Sequence, residues 1–135
     1  TGKVISQLSN EGIKLNITAV YSSIQTKKIL KCINKETKVI ISIFAGRYGD
    51  AGKDPVPEIK KSIFYSKRFK NVKILWASVR EPYNYIQANQ LGCHLITVPP
   101  KIIDTIKNFG KSYQQLTLDT VNTFLEDSKK SKFKI

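Results

Sequence analysis

A chain of 135 residues, 41% of them hydrophobic, has the length of one domain and enough apolar material for a core, which excludes disorder for its bulk. No apolar run approaches the roughly 20 residues that cross a bilayer, and the start Thr1-Gly2-Lys3-Val4-Ile5 has neither a secretion-signal stretch nor an initiating Met. We therefore expect no membrane partner, a cytoplasmic location, and a sequence that begins inside a longer protein. The 23 Lys and Arg against 10 Asp and Glu give a formal charge of +13, which favours anionic partners on encounter and says nothing about fold.

Residues 4–11 read as the end of a helix stopped at Gly12, and Ile13 to Val20 as a first strand. Thr26 to Ile33 places Ile29, Leu30 and Ile33 on one helical face. Lys38 to Phe44 is a second strand, apolar almost throughout, as expected of a strand covered on both faces. The spacing then predicts a long polar loop from Arg47 to Pro57 and a helix from Glu58 to Phe69. Val72 to Ala77 is the third strand, and Glu81-Pro82 opens a helix that runs to about Gln90 and ends at Gly92. Cys93 to Val98 is the fourth strand, stopped by Pro99-Pro100 before a helix from Lys101 to about Asn108. A last amphipathic helix, Leu118 to Leu125, is expected to be capped near Thr117, with a frayed tail over 128–135. Nothing resembles a linker, so residues 1–135 are one unit.

Four times, then, a strand breaks into polar residues and a helix follows: Asn16-Ile17-Thr18-Ala19-Val20-Tyr21-Ser22, Ser42-Ile43-Phe44-Ala45-Gly46-Arg47, Ala77-Ser78-Val79-Arg80 and Thr97-Val98-Pro99-Pro100. Repeated strand-to-helix units with polar strand ends are the sequence form of a parallel α/β barrel of TIM type, whose sites lie on the carboxyl-terminal face. An eight-stranded barrel needs about 200 residues or more, so this chain accounts for half of one.

Alternation along a strand decides which polar groups share a face. Asn16 and Thr18 share a parity, as do Ser42 and Phe44, and as do Trp76, Ser78 and Arg80. Each strand is thus expected to aim polar groups at a common axis, with Trp76 filling the interior beneath Ser78. Ser78 and Arg80, followed by the start of a helix at Pro82, have the makings of an anion site, because a hydroxyl, a guanidinium and free helix amides all favour negative charge. Arg47 is close enough in the neighbouring unit to join them. The competing structural reading pairs these arginines with Asp50 or Glu81.

The two cysteines, Cys32 and Cys93, lack the spacing of a metal or redox pair, so a metal or redox role for them has little support. Lysines are spread along helices and cluster only at Lys129, Lys130, Lys132 and Lys134. No zinc finger, basic zipper or aromatic RNA-binding signature accompanies the charge, so nucleic acid is the weakest of the partner readings.

Across these four motifs, and in the closing Thr123-Phe124-Leu125-Glu126-Asp127 before a lysine-rich end, the chain resembles the transaldolase family, including its small fructose-6-phosphate aldolases. The resemblance covers nearly the whole chain and implies a TIM barrel of which this chain supplies strands five to eight and their helices. It implies that Asn16 and Thr18 help hold the catalytic water and substrate hydroxyls, that Ser42 and Phe44 touch substrate, and that Arg47, Ser78 and Arg80 hold the phosphate of the sugar. The small aldolases carry Tyr where Phe44 stands, which leans the reading toward transfer of a dihydroxyacetone unit between sugar phosphates, a reaction the resemblance implies to need no metal and no cofactor.

The departures matter as well. Ile43 stands where the family usually has Pro, and Trp76 where it has a small residue. The family's Schiff-base lysine lies on strand four and its acid/base partners on strands one and three, all outside this chain. Lys14, Lys38 and Lys73 lie at the amino-terminal ends of their strands, about five residues or ~17 Å from the catalytic face, and do not replace it. The expected partners are a sugar phosphate and either the missing amino-terminal half or another half-barrel, the latter as a homo-oligomer. A non-catalytic sugar-phosphate or assembly module is the alternative to an enzyme half.

Overall fold

Val39, Ile41 and Ile43 on one strand and Ile74 and Trp76 on the next lie on one face by alternation, and all five are buried in one apolar cluster. The computed structural model describes residues 2–131. In chain order they form α1 (Gly2–Asn10), β1 (Leu15–Val20), α2 (Ser23–Leu30), β2 (Val39–Phe44), α3 (Ala45–Asp50), α4 (Val56–Ser66), β3 (Val72–Ala77), α5 (Tyr83–Leu91), β4 (Leu95–Ile96), α6 (Pro100–Ile106) and α7 (Tyr113–Ser131). The four strands make one parallel sheet in the order β1-β2-β3-β4. This is an α/β architecture with sequential parallel strands, the arrangement found within part of a β/α barrel.

Among the described residues helices cover one face of the sheet. Ile29 and Leu30 of α2, Ile59 of α4 and Ala88 of α5 join the buried strand residues in a single core. Two polar ties fix α2 against α4: the Thr26 and Ser62 hydroxyls meet at 2.8 Å in the interior, and Glu58 accepts from the backbone N–H of Ser23. That backbone hydrogen bond, at the positive end of α2, holds the Glu58 carboxyl below its ordinary range. Among the described residues no helix layer covers the opposite face of the sheet, which bears Asn16, Ile40, Ser42, Phe44, Leu75 and Ala77 and holds open hollows.

The third strand lies where the pattern places it; other elements differ. α2 begins at Ser23 rather than Thr26, because Ser22 and Gln25 form a reciprocal capping box. The predicted loop from Arg47 starts instead as the helix α3, whose glycines disguise it at the level of propensity. β4 is reduced to Leu95–Ile96: Cys93 N–H is drawn back to the Ala88 carbonyl at the end of α5, where Gly92 takes a φ of 76°. His94 and Thr97 still donate to Ile74 and Trp76 carbonyls at 3.0 and 3.1 Å, so the edge stays attached.

The last helix is longer than expected. Thr117 does not cap it; its hydroxyl donates to the Tyr113 carbonyl inside the helix, and Ser112 Oγ accepts from Gln115 N–H at the actual start. The helix continues through 128–131, and the remainder of the expected tail, 132–135, lies outside the described residues. Among the described residues no helix is long and apolar enough to cross a membrane.

Candidate functional site

Two local breaks in strand geometry build the carboxyl-terminal end of the open face. In β1 the register runs Ile17 with Ile41 and then Val20 with Ile43, so Thr18 and Ala19 share the space opposite Ser42. Ala19 absorbs the extra residue at a φ of 55°. Val20 therefore returns to the core, 3% exposed, while Thr18 stays on the open face. The second break is Ser78, just beyond β3, with a φ of 63°.

Ser78 corrects the parity argument. Trp76 does not lie beneath the site: it faces the helix layer, 1% exposed, because Leu75 and Ala77 are the residues registered with Ser42 and Phe44. Only the left-handed turn at Ser78 carries that residue across to the open side. Gly46 locks this turn in place. A Cβ there would collide with the Ser78 carbonyl oxygen and come within 2.9 Å of Arg80 Cγ, so the start of α3 lies directly on the end of β3.

The result is a depression of about 370 Å³ lined by Asn16, Thr18, Ser42, Phe44, Arg47, Ser78 and Arg80, together with Leu75, Ala77 and Thr97. Ser42 is 3% exposed and donates its hydroxyl hydrogen to Asn16 Oδ1 at 2.7 Å, which orients the Asn16 amide and leaves its NH2 group to donate. Phe44 forms the wall: its ring meets Tyr21 edge to face at 6.1 Å and carries the Arg47 guanidinium 5.6 Å from its centroid. Tyr21 in turn stacks on Tyr48, beneath Lys53.

Arg80 is held from α3. Its Nε and Nη2 donate to the Asp50 carboxylate at 3.1 and 2.7 Å, a forked ion pair with both side chains about half exposed. The hydrogen bond from Arg80, more than its charge, holds the Asp50 carboxyl below its ordinary value. The structural alternative for this arginine is therefore realised, and an incoming anion must share Arg80 with Asp50 or displace it.

The helix start supplies less than expected. In the first turn of α5, Asn84 and Tyr85 N–H already donate to the Glu81 and Pro82 carbonyls, and Asn84 Oδ1 takes the N–H groups of Arg80 and Glu81. The cations and the Ser78 hydroxyl, not free helix amides, are the groups of the depression whose chemistry suits negative charge. Tyr21, Tyr48 and Thr97 escaped the site prediction. Thr97 stands at the end of its strand like Thr18, which was the available signal; the two tyrosines meet through α3, whose helical form was hidden.

The opposite end of the same face holds a separate hollow of about 590 Å³, lined by Lys14, Lys38 and Lys73 with Lys35, Lys70 and Glu36. Asn16 borders both hollows. Cys32 and Cys93 are unbridged, and burial pushes the Cys93 thiol up to about 11, the behaviour of an inert packing residue. Among the described residues no group of three His, Cys, Asp or Glu side chains is placed to hold a metal ion.

Comparison with known proteins gives the family. The family model described as Transaldolase/Fructose-6-phosphate aldolase matches residues 1–135. A probable transaldolase of Syntrophobacter fumaroxidans is 33% identical over 129 residues, covering 95% of this chain and 54% of the relative. Those of Caldicellulosiruptor saccharolyticus and Nitrosopumilus maritimus are 31% and 33% identical, covering 95% and 96% of this chain and 56% and 55% of their own lengths. The chain thus spans about half the length of the curated relatives it matches. It belongs to the transaldolase/fructose-6-phosphate aldolase family.

Proposed function

We propose that this chain is the carboxyl-terminal half of a transaldolase-type β/α barrel and carries the part of the active site that holds the sugar phosphate. Arg47, Ser78 and Arg80 bind the phosphate, by charge and hydrogen bond. Asn16, Thr18, Ser42 and Phe44 line the path of the carbon chain, with the Asn16 amide and Thr18 hydroxyl toward substrate hydroxyls and water.

In the complete enzyme a lysine amine condenses with the ketose carbonyl, losing water, and the resulting iminium accepts the electron pair released when the adjacent C3–C4 bond breaks. The acceptor aldehyde takes that pair back in a new C–C bond, and water then frees the lysine. The observation that carries the assignment of roles is that seven residues from three strand-to-helix units share one depression, while none of the residues lining it is a lysine. The nucleophile accordingly comes from a complementary half, and this chain contributes binding and orientation. Phe44, which offers no hydroxyl at the wall, is in keeping with transfer rather than simple cleavage.

The test is an assay of the chain alone with fructose 6-phosphate and erythrose 4-phosphate, followed by borohydride trapping. No turnover and no trapped lysine adduct is the expected result; robust turnover, or an adduct on a lysine of this chain, contradicts the division of labour. The lack of a lining lysine equally favours a non-catalytic sugar-phosphate module, which is distinguished by failure of any complementary half to restore turnover.

A further inference from the structure

The amino-terminal end of the open face repeats one residue type across three strands. Lys14 and Lys38 immediately precede β1 and β2, where the ladder is already formed by Leu15 N–H on the Lys38 carbonyl, and Lys73 pairs with Ile40 one rung higher. All three line the hollow that Ile40 and Leu95 floor, and Lys35 and Lys70 join from the loops before β2 and β3. Glu36 is the one acidic residue lining it, and none of these lysines forms an ion pair among the described residues. Lysines on the outer helices stay in water whatever the assembly; these lie on the face that closure of a barrel would cover.

From this placement we propose that the open face is built to receive a second β/α half that presents carboxylates at the amino-terminal level of its own strands, and to reject a second copy of this chain. The inference rests on the half-barrel reading above and names the chemistry of the partner. Ammonium groups stripped of water without partners are strongly unfavourable, so closure requires carboxylates opposite them. Two copies closing a parallel barrel about its axis would bring the same lysines together at one end, like charge against like. The free edges of β1 and β4 then supply backbone pairing to whichever half satisfies the charges. The homo-oligomer expected from the sequence would therefore not form through this face.

The experiment is isothermal titration of the chain with the separately produced part of the Nitrosopumilus maritimus transaldolase that the match leaves uncovered, using native chain, the Lys14→Gln/Lys38→Gln/Lys73→Gln variant and its Glu counterpart. The three lysines are exposed here, so far-UV circular dichroism of each variant should be unchanged. We expect native binding to weaken about tenfold as salt rises from about 50 to about 500 mM, and the Glu variant to lose about tenfold or more. Sedimentation should show the native chain without a dimer through this face, and the Gln variant more prone to one.

Absence of binding by a partner half that circular dichroism shows to be folded, or a native-chain dimer through this face as strong as that of the Gln variant, overturns the proposal; so does equal binding by native and Glu variants, which would mean that the ammonium groups reach water past the rim. Saturable binding of tripolyphosphate to the lysines with none of the partner half would also overturn it, in favour of a small-anion site. Turnover is read separately: charge-dependent binding without activity removes the enzymatic reading and leaves this one, whereas activity indifferent to the lysines does the reverse.

Discussion

On the helix-covered face of the sheet Ile41 and Ile74 are wholly excluded from solvent, whereas on its other face Asn16 and Thr18 are exposed and Ile40 is half-buried. The difference separates stability from the proposed function along a single alternation: one set of residues holds the layers together, and the other is the set to which the proposals above assign ligand and partner. Within the open face a second contrast follows. Its carboxyl-terminal end is organised by two left-handed residues and a glycine contact into a converging polar site, while its amino-terminal end gathers lysines without ion-pair partners.

The sharpest way to break the first contrast is a pair of alanine variants on one strand. Ile41→Ala should cost about 2–5 kcal/mol, and Ile40→Ala on the open face about 1 kcal/mol or less, measured by urea unfolding. Equal losses would mean that the two faces are not divided as described. Gly46→Ala comes next. Backbone cannot yield as a side-chain tip does, so a loss of about 1–3 kcal/mol is expected, together with shifted amide signals at Ser78 and Arg80 in a ¹H–¹⁵N spectrum; a variant as stable as the parent would show that α3 does not lock the turn.

Smaller effects probe the site itself. Arg80→Ala should weaken fructose 6-phosphate binding by about tenfold, while Asp50→Asn, which frees Arg80 and removes a competing negative charge, should strengthen it by about two- to threefold. Weaker binding in Asp50→Asn would show that the carboxylate positions the guanidinium more than it competes.

The smallest effect is in pH. Because Arg80 depresses the Asp50 carboxyl, the ion pair's contribution is complete above the ordinary value of 3.8 and is lost as pH falls through the lower folded value. Side-chain ¹³C titration should place the Asp50 midpoint below 3.8, and Arg80→Ala should return it there.

These contrasts also measure what a reading of residues can reach. β3 was legible to its limits, Val72 to Ala77, because a buried apolar run between polar boundaries has few alternatives. Residues Asn16, Thr18, Ser42 and Phe44 were placed together by simple alternation, and they line one depression. Alternation failed at the strand ends. It put Trp76 and Ser78 on one face, and only a backbone turn that parity does not encode separates them. α3 was hidden for a related reason: Gly46 and Gly49 read as loop by propensity, yet Gly46 is required by contact with a distant carbonyl. Contacts between units are what local pattern does not carry, and the Tyr21–Tyr48 stack belongs to that class, whereas the Asp50–Arg80 pair was legible as one of two alternatives.

The proposed division of the open face into a substrate end and a partner end is tested most directly by ¹H–¹⁵N chemical-shift mapping of the chain with millimolar fructose 6-phosphate. Saturable shifts at Arg47, Ser78 and Arg80, with Lys14, Lys38 and Lys73 unmoved, are what the arrangement predicts. Shifts confined to the lysine end, or none at the arginines, would contradict it.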